Sequence, residues 1–292
     1  MSALEFLLAG TLAAALPLLL AALGEMVVEK TGLLNLGLEG MMAIGAAIAF
    51  IVVYHSAAHG LGFLAAALVS AALSLIFAFL VVVVQANQVA SGLAIGVLGL
   101  GLSALFGKSY ESQTITGLPE LGFPVLSQLP ILGATVFTQD IVVWLAILGT
   151  AALWYVLNRT KLGLIITAVG ENAEAARAIG YPVGQIRFAA VAFGGAMCGL
   201  AGAYASTVYT PLWADGMIAG RGWIALALVV FGTWQTGRVA LGALLFGMLS
   251  LGELTAQAVG VAIPSQALSS LPYIVTILTL AVISSRRRGL GA

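Results

Sequence analysis

Apolar residues fall along this chain in long blocks, and the polar residues are confined to the short gaps between them. The blocks run at 4–23, 41–55, 61–84, 88–107, 139–158, 187–206, 219–235, 238–256 and 264–284. A helix that crosses the roughly 30 Å hydrocarbon core of a bilayer needs about 20 apolar residues, so each block reads as a membrane span. The block at 41–55 is short for a crossing, and the polar-tinged GEMVVEKTGLLNLGLEG before it reads as a broken or re-entrant segment at 24–40. The pattern predicts an all-α, polytopic transmembrane helical bundle of about eight to ten spans, with one membrane domain over residues 1–292.

Composition agrees. Of the 292 residues 61% are hydrophobic and 8% charged, against roughly a quarter charged in a soluble domain, so there is too little charge to coat a soluble surface. Net charge is zero and no basic stripe runs along the chain, which excludes a nucleic-acid partner. The N-terminal apolar stretch carries Glu5 and no Lys or Arg before it, and it reads as an uncleaved first span rather than a secretory signal. Cys198 is the only cysteine and sits in the small-residue run GGAMCGLAGA. That excludes an internal disulfide and a multi-cysteine metal site.

The basic residues orient the spans, because Lys and Arg in short loops stay on the cytoplasmic side. Arg286, Arg287 and Arg288 put the C-terminus inside. Counting spans backwards places Arg238 inside, and with it the loop 159–187 that holds Arg159, Lys161, Arg177 and Arg187. The loop 108–138, with Pro119, Pro124 and Pro130, then lies outside. The side of the N-terminus depends on whether 24–40 crosses. Close glycine pairs, Gly92 with Gly96, Gly195 with Gly199 and Gly216 with Gly220, predict helix faces packed inside the bundle.

Candidate chemistry is sparse. GLSALFGKS (101–109) has five residues between its glycines where a phosphate loop needs four, and no strand precedes it. His55 and His59 stand four apart in YHSAAHG with no third ligand, and read as a solvated pair rather than a metal site. Both histidines lie in that one loop and the acids are scattered, so no nucleophilic constellation forms and the chain is not expected to be an enzyme. Asp215, Arg221, Glu253 and Gln257 are further polar positions near or within spans, with Arg221 and Asp215 close enough in sequence to pair.

Three segments carry more information. In GLIITAVGENAEAARAIGYPVGQIRF, Asn172 is an N-cap, Glu174 falls in the first turn, Arg177 in the last, Gly180 at the stop and Pro182 beyond it. The spacing predicts one short helix outside the membrane, about 10 Å long, either a solvated loop helix or a docking element. In TGLLNLGLEGMMAIGA, Asn35 and Glu39 are polar groups in an apolar, glycine-rich run. A carboxylate at membrane depth requires a partner or a polar cavity, so the pair belongs either to a structural network or to a substrate path. In QANQVASG, Asn87 and Ser91 begin a span, as interfacial caps or as substrate contacts.

These segments, GEMVVEKTGLLNLGLEGMMAIGA (24–46), ANQVASGLAI (86–95), AVGENAEAARAIGY (168–181) and GRGWIALALVVFGTWQTGRVALGALLFG (220–247), together resemble the permeases of the branched-chain amino acid and simple-sugar ABC importer superfamily. NLGLEG and ANQVASGLAI are most similar to its nucleoside or simple-sugar group. The resemblance runs nearly end to end and departs at Gly96, where such permeases commonly carry Asn, and at Thr236, where Pro is common. It implies a multi-pass protein of the plasma (inner) membrane that takes up nucleosides or simple sugars. It further implies an ABC ATPase subunit that hydrolyses the ATP, a second permease subunit, an extracytoplasmic substrate-binding lipoprotein and surrounding lipid as partners, with no cofactor bound by this chain. The loop helix becomes the coupling element, with Glu171, Asn172, Glu174, Arg177 and Gly180 facing the ATPase. Asn35, Glu39, Asn87 and Ser91 are expected near the path, with Trp223 or Phe231 available to stack on a base. Uptake of branched-chain amino acids and ion-driven secondary transport are the competing expectations.

Overall fold

The computed structural model describes residues 3–119, 121, 138–258 and 274. The expected span at 264–284, the C-terminal arginines and most of the loop 108–138 lie outside the described residues. Ten α-helices follow in order: α1 (Ala3–Glu29), α2 (Leu38–Ser56), α3 (His59–Ala78), α4 (Gln88–Gly107), α5 (Ile141–Arg159), α6 (Lys161–Glu171), α7 (Ala173–Ala178), α8 (Val183–Tyr204), α9 (Arg221–Phe231) and α10 (Thr236–Ala258). α3 and α8 each end in a π turn, Phe79–Val83 and Ala205–Tyr209. Six of the described helices are long and apolar enough to cross a membrane.

α2 lies at the centre, packed by α3, α4 and α8, while α1 packs on α8, α9 and α10. Without a hydrophobic drive between helices in lipid, close packing and interhelical hydrogen bonds hold such a bundle. Three serines serve that end. Ser70 on α3, Ser103 on α4 and Ser206 in the π turn after α8 donate to the carbonyls of Met41, Ala43 and Ala46 on α2, at 2.8, 2.9 and 2.8 Å. Glycine supplies the close approach: a Cβ on Gly202 would strike the Met42 carbonyl, and one on Gly40 would strike that of Gly96.

The two ends of the bundle are marked by contacts. At the end that carries the loop 159–187, the one expected to face inward, Gly170 meets the Lys30 carbonyl and Arg187 donates to Thr31 O at 3.2 Å. At the opposite end His55 bonds the Tyr110 hydroxyl at 2.8 Å, and Thr114 forms an isolated bridge with Leu212. Gln139 there donates to Ala9 O at 3.0 Å, so α1 starts at that end and finishes at the end carrying the loop 159–187.

The segment 24–40 is broken as expected: α1 continues to Glu29, and 30–37 is an irregular loop tucked against α4 and α8 before α2 begins. Other expectations need correction. The block 219–235 is a half-span, since α9 has 11 residues and rises only about 16 Å. Gly216 and Gly220 stand outside the helices, with φ of +73° and +80°, and turn the chain into α9. Arg221 lies over the Tyr209 ring, 5.7 Å from its centroid, rather than against exposed Asp215. His55 and His59 sit on different helices, because Ala57 (φ 54°) breaks the chain between them.

Candidate coupling and translocation site

Two polar groupings bear on the expected site, a surface helix at the end carrying the loop 159–187 and a buried loop beside it. The surface helix forms for local reasons. Asn172 Oδ1 accepts from Ala175 N at 2.9 Å, and Gly180, at φ +94°, closes the C-terminus. There Gly180 N donates to Arg177 O at 3.0 Å and Tyr181 N to Ala176 O at 3.1 Å. Glu171 at the end of α6, Glu174 and Arg177 on α7, and Asn172 and Gly180 flanking it are all exposed. Beneath them Val169, Ala176 and Val183 form a small core that ties α6, α7 and the start of α8 into one unit.

That unit is joined to the loop between α1 and α2. Gly170 packs on Lys30 and Gly32, and the Arg187 guanidinium holds Thr31 O. Burial draws the Lys30 ammonium below the usual lysine range. The loop is fixed at three further points. Asn35 N donates to Glu25 Oε1 at 2.9 Å, Leu34 N to Gln88 Oε1 at 2.8 Å, and Gly37 N to Asn35 Oδ1 at 2.9 Å. At its far end α2 begins, with Glu39 in the first turn, where the helix dipole favours negative charge.

Glu39 meets α9 there. Gly222 packs against the Glu39 backbone, and Leu36, Leu38, Glu39, Gly222, Trp223 and Leu226 surround a small crevice. Glu39 Oε2 is buried with no hydrogen-bond partner among the described residues, and Trp223 keeps 47% of its surface exposed. The arrangement sets a carboxylate and a half-exposed indole beside one crevice of about 10 Å³.

A model of the family described as the branched-chain amino acid transport system permease component matches residues 7–283. The chain belongs to that family. Over 94% of its length the permease is 40% identical to the putative glucose ABC transporter permease of Haloferax volcanii, of which the match covers 90%. It is 33% identical to the nucleoside ABC transporter permease of Lactococcus lactis, over 96% of this chain and 92% of that one. It is 34% identical to the guanosine ABC transporter permease of Bacillus subtilis, over 95% and 91%. No solved structure matches it significantly. The permease therefore falls in the nucleoside and simple-sugar group of ABC transporter permeases, a multi-pass membrane component.

Of the residues singled out on the permease's path, Glu39 and Trp223 come together. Asn35 is buried and turned into the loop's own hydrogen bonds. Asn87 is exposed and caps α4, accepting from Ala90 N at 3.0 Å, and Ser91 is buried one turn on. Phe231 lies at the other end of α9, against Gly242. Gly96 is a contact point for Gly37 and Gly40, so the polarity that Asn would bring there is replaced by closeness of backbones. Sequence reasoning missed Glu25 and the bond from Trp234 Nε1 to Glu29 Oε2, and it read Gln88 only as an interfacial polar residue and Arg187 only as a marker of orientation, not as the residues that hold the loop. For Glu25 a signal existed: the cost of a carboxylate at depth applies to it as much as to Glu39.

Proposed function

We propose that this permease is the membrane-spanning subunit of an importer that takes up a nucleoside, powered by ATP hydrolysed on a separate cassette subunit. The carrying observation is that a capped helix standing outside the spans is packed, through Gly170 and Arg187, onto the loop that leads to Glu39. A cassette docking on Glu171, Asn172, Glu174 and Arg177 moves α6 and α7 as one piece. The movement passes to residues 30–37 and shifts α2 against α9, which opens or closes the crevice between Glu39 and Trp223. That is a two-state rocking of packed elements biased by ATP.

The crevice holds only about 10 Å³, room for one water, so the shift of α2 against α9 has to open it before its two groups meet a base attached to a hydroxylated ring. The indole of Trp223 stacks on the base, a contact on the order of 0.5–1.5 kcal/mol, and the Glu39 carboxylate accepts from ring hydroxyls. Asn87 and Ser91 stand at the inner mouth of the same path. A second permease subunit completes the path, and an extracytoplasmic binding lipoprotein delivers the solute at the end marked by Tyr110 and Leu212. The C-terminus and the loop 159–187 face the cytoplasm across the plasma membrane. A second reading, a simple sugar, is favoured by the 40% identity to a relative named for glucose; it uses the same carboxylate and the same aromatic face.

Vesicles holding the permease with its partner subunits test this. ATP-dependent, saturable uptake of labelled nucleosides is expected, and uptake of glucose in their place moves the substrate to the second reading. Saturable uptake of an amino acid overturns the substrate assignment, and transport that persists without the ATPase overturns the importer reading.

A further inference from the structure

Away from the polar relay, a groove of about 820 Å³ separates α5 from the body of the bundle. Only 11% of the most apolar stretch of α5 is buried, against 83% for α1. The groove follows α5 from Ile141 to Leu157, which is about 24 Å at 1.5 Å per residue and most of the roughly 30 Å of a hydrocarbon core. Its described walls are aliphatic and aromatic, with Leu20 and Leu23 of α1 and Phe193 of α8 among them; of the two polar side chains there, Thr150 spends its hydroxyl on Ala146 O of its own helix. Midway along, Gly149 looks into open space. A hydroxylated solute finds no set of partners on such walls, and an apolar lining left without neighbours forfeits its dispersion contacts. An occupant suited to these walls is long and apolar.

One end differs. His59, at the outer mouth of the groove, has its Nε2 buried with no hydrogen-bond partner among the described residues. Leaving a buried polar atom unpaired is costly, and a turn of the ring toward the groove brings its N–H to an ester or phosphate oxygen. We propose that the permease holds a bilayer lipid here, with its tail between α5 and α8 and its head group at His59 in the outer leaflet. The polar atom at one end and the apolar length behind it match an amphiphile in that orientation. The tail then braces α5, whose inner end passes through the Gly163 contact with the Leu157 backbone into α6 and the loop helix.

The test reconstitutes the permease in nanodiscs that contain a phospholipid with a photoactivatable group in its acyl chain, and maps the adducts by mass spectrometry. Adducts are expected on Leu20, which is only 6% exposed and is reached from the groove, as well as on lipid-facing Leu148, 64% exposed. Gly149→Phe and, separately, Ala152→Phe fill the groove and are expected to cut the Leu20 adducts severalfold while the Leu148 adducts stay unchanged; His59→Ala is expected to lower the Leu20 adducts too. The two fillers act from different positions, so a variant that fails to insert, seen by loss of the Leu148 adducts, leaves the other to decide. Absence of Leu20 adducts in the native chain, adducts indifferent to the fillers, or cross-links from the groove to a second copy of the chain would overturn the proposal.

Discussion

Glu25 and Glu39 are both carboxylates held among apolar helices, and their surroundings give them different work. Glu25 is 1% exposed and spends its oxygen on Asn35 N, so it fixes the loop. Glu39 keeps a buried oxygen without a partner among the described residues, beside a half-exposed tryptophan, which is why it, and not Glu25, is the carboxylate proposed to meet the solute. Glu25→Ala strands a buried N–H, at a cost of about 1–3 kcal/mol, and the thermal midpoint of the purified permease is expected to fall. Glu39→Gln is expected to leave that midpoint within experimental scatter and to lower nucleoside uptake severalfold. Equal loss of stability in both variants would contradict this division. The cap at Asn172 was legible in the sequence because its partner is three residues away. The Glu25 contact was not, because nothing local says which backbone N–H a buried carboxylate will meet ten residues on.

At the scale of elements, hydropathy located most of the described spans to within a few residues, since apolar length is what a bilayer selects. It failed at 219–235 because apolar content does not report continuity: Gly220 bounds α9 at its start and Thr233 and Trp234 turn the chain after its end, all three at positive φ, and of these only the glycine is a turn signal by residue type. It also passed over α6, although Leu162, Ile165, Ile166 and Val169 keep the spacing of one helix face. Glycine pairs read correctly where helices touch through backbone. Gly202→Ala therefore places a methyl against the Met42 carbonyl, and a large loss of monodisperse protein is expected by size-exclusion chromatography in detergent. Gly101→Ala, which meets nothing within 4 Å, is expected to behave as the native chain does. Comparable yields from the two would mean that α2 and α8 do not approach as described.

For the whole molecule, the position of the loop helix matters more than its stability. α7 is six residues long, too short to persist alone, and it is held by Val169 and Val183 in a unit whose other contacts run to Lys30, Thr31 and Gly32. A docking surface joined to the loop before α2 has a short route to Glu39 and Trp223. The sequence resemblance supplied the idea of a coupling helix, and the capping pattern supplied its bounds. The path from there to the crevice became visible only with tertiary contacts between residues more than a hundred positions apart. The account rests on force entering at residues 171–180. Its most direct test is nucleoside-stimulated ATP hydrolysis by the reconstituted assembly carrying Glu174→Lys with Arg177→Glu. Both side chains are exposed, so an unchanged thermal midpoint and a severalfold loss of stimulation are predicted, and full stimulation in the double variant would contradict the account.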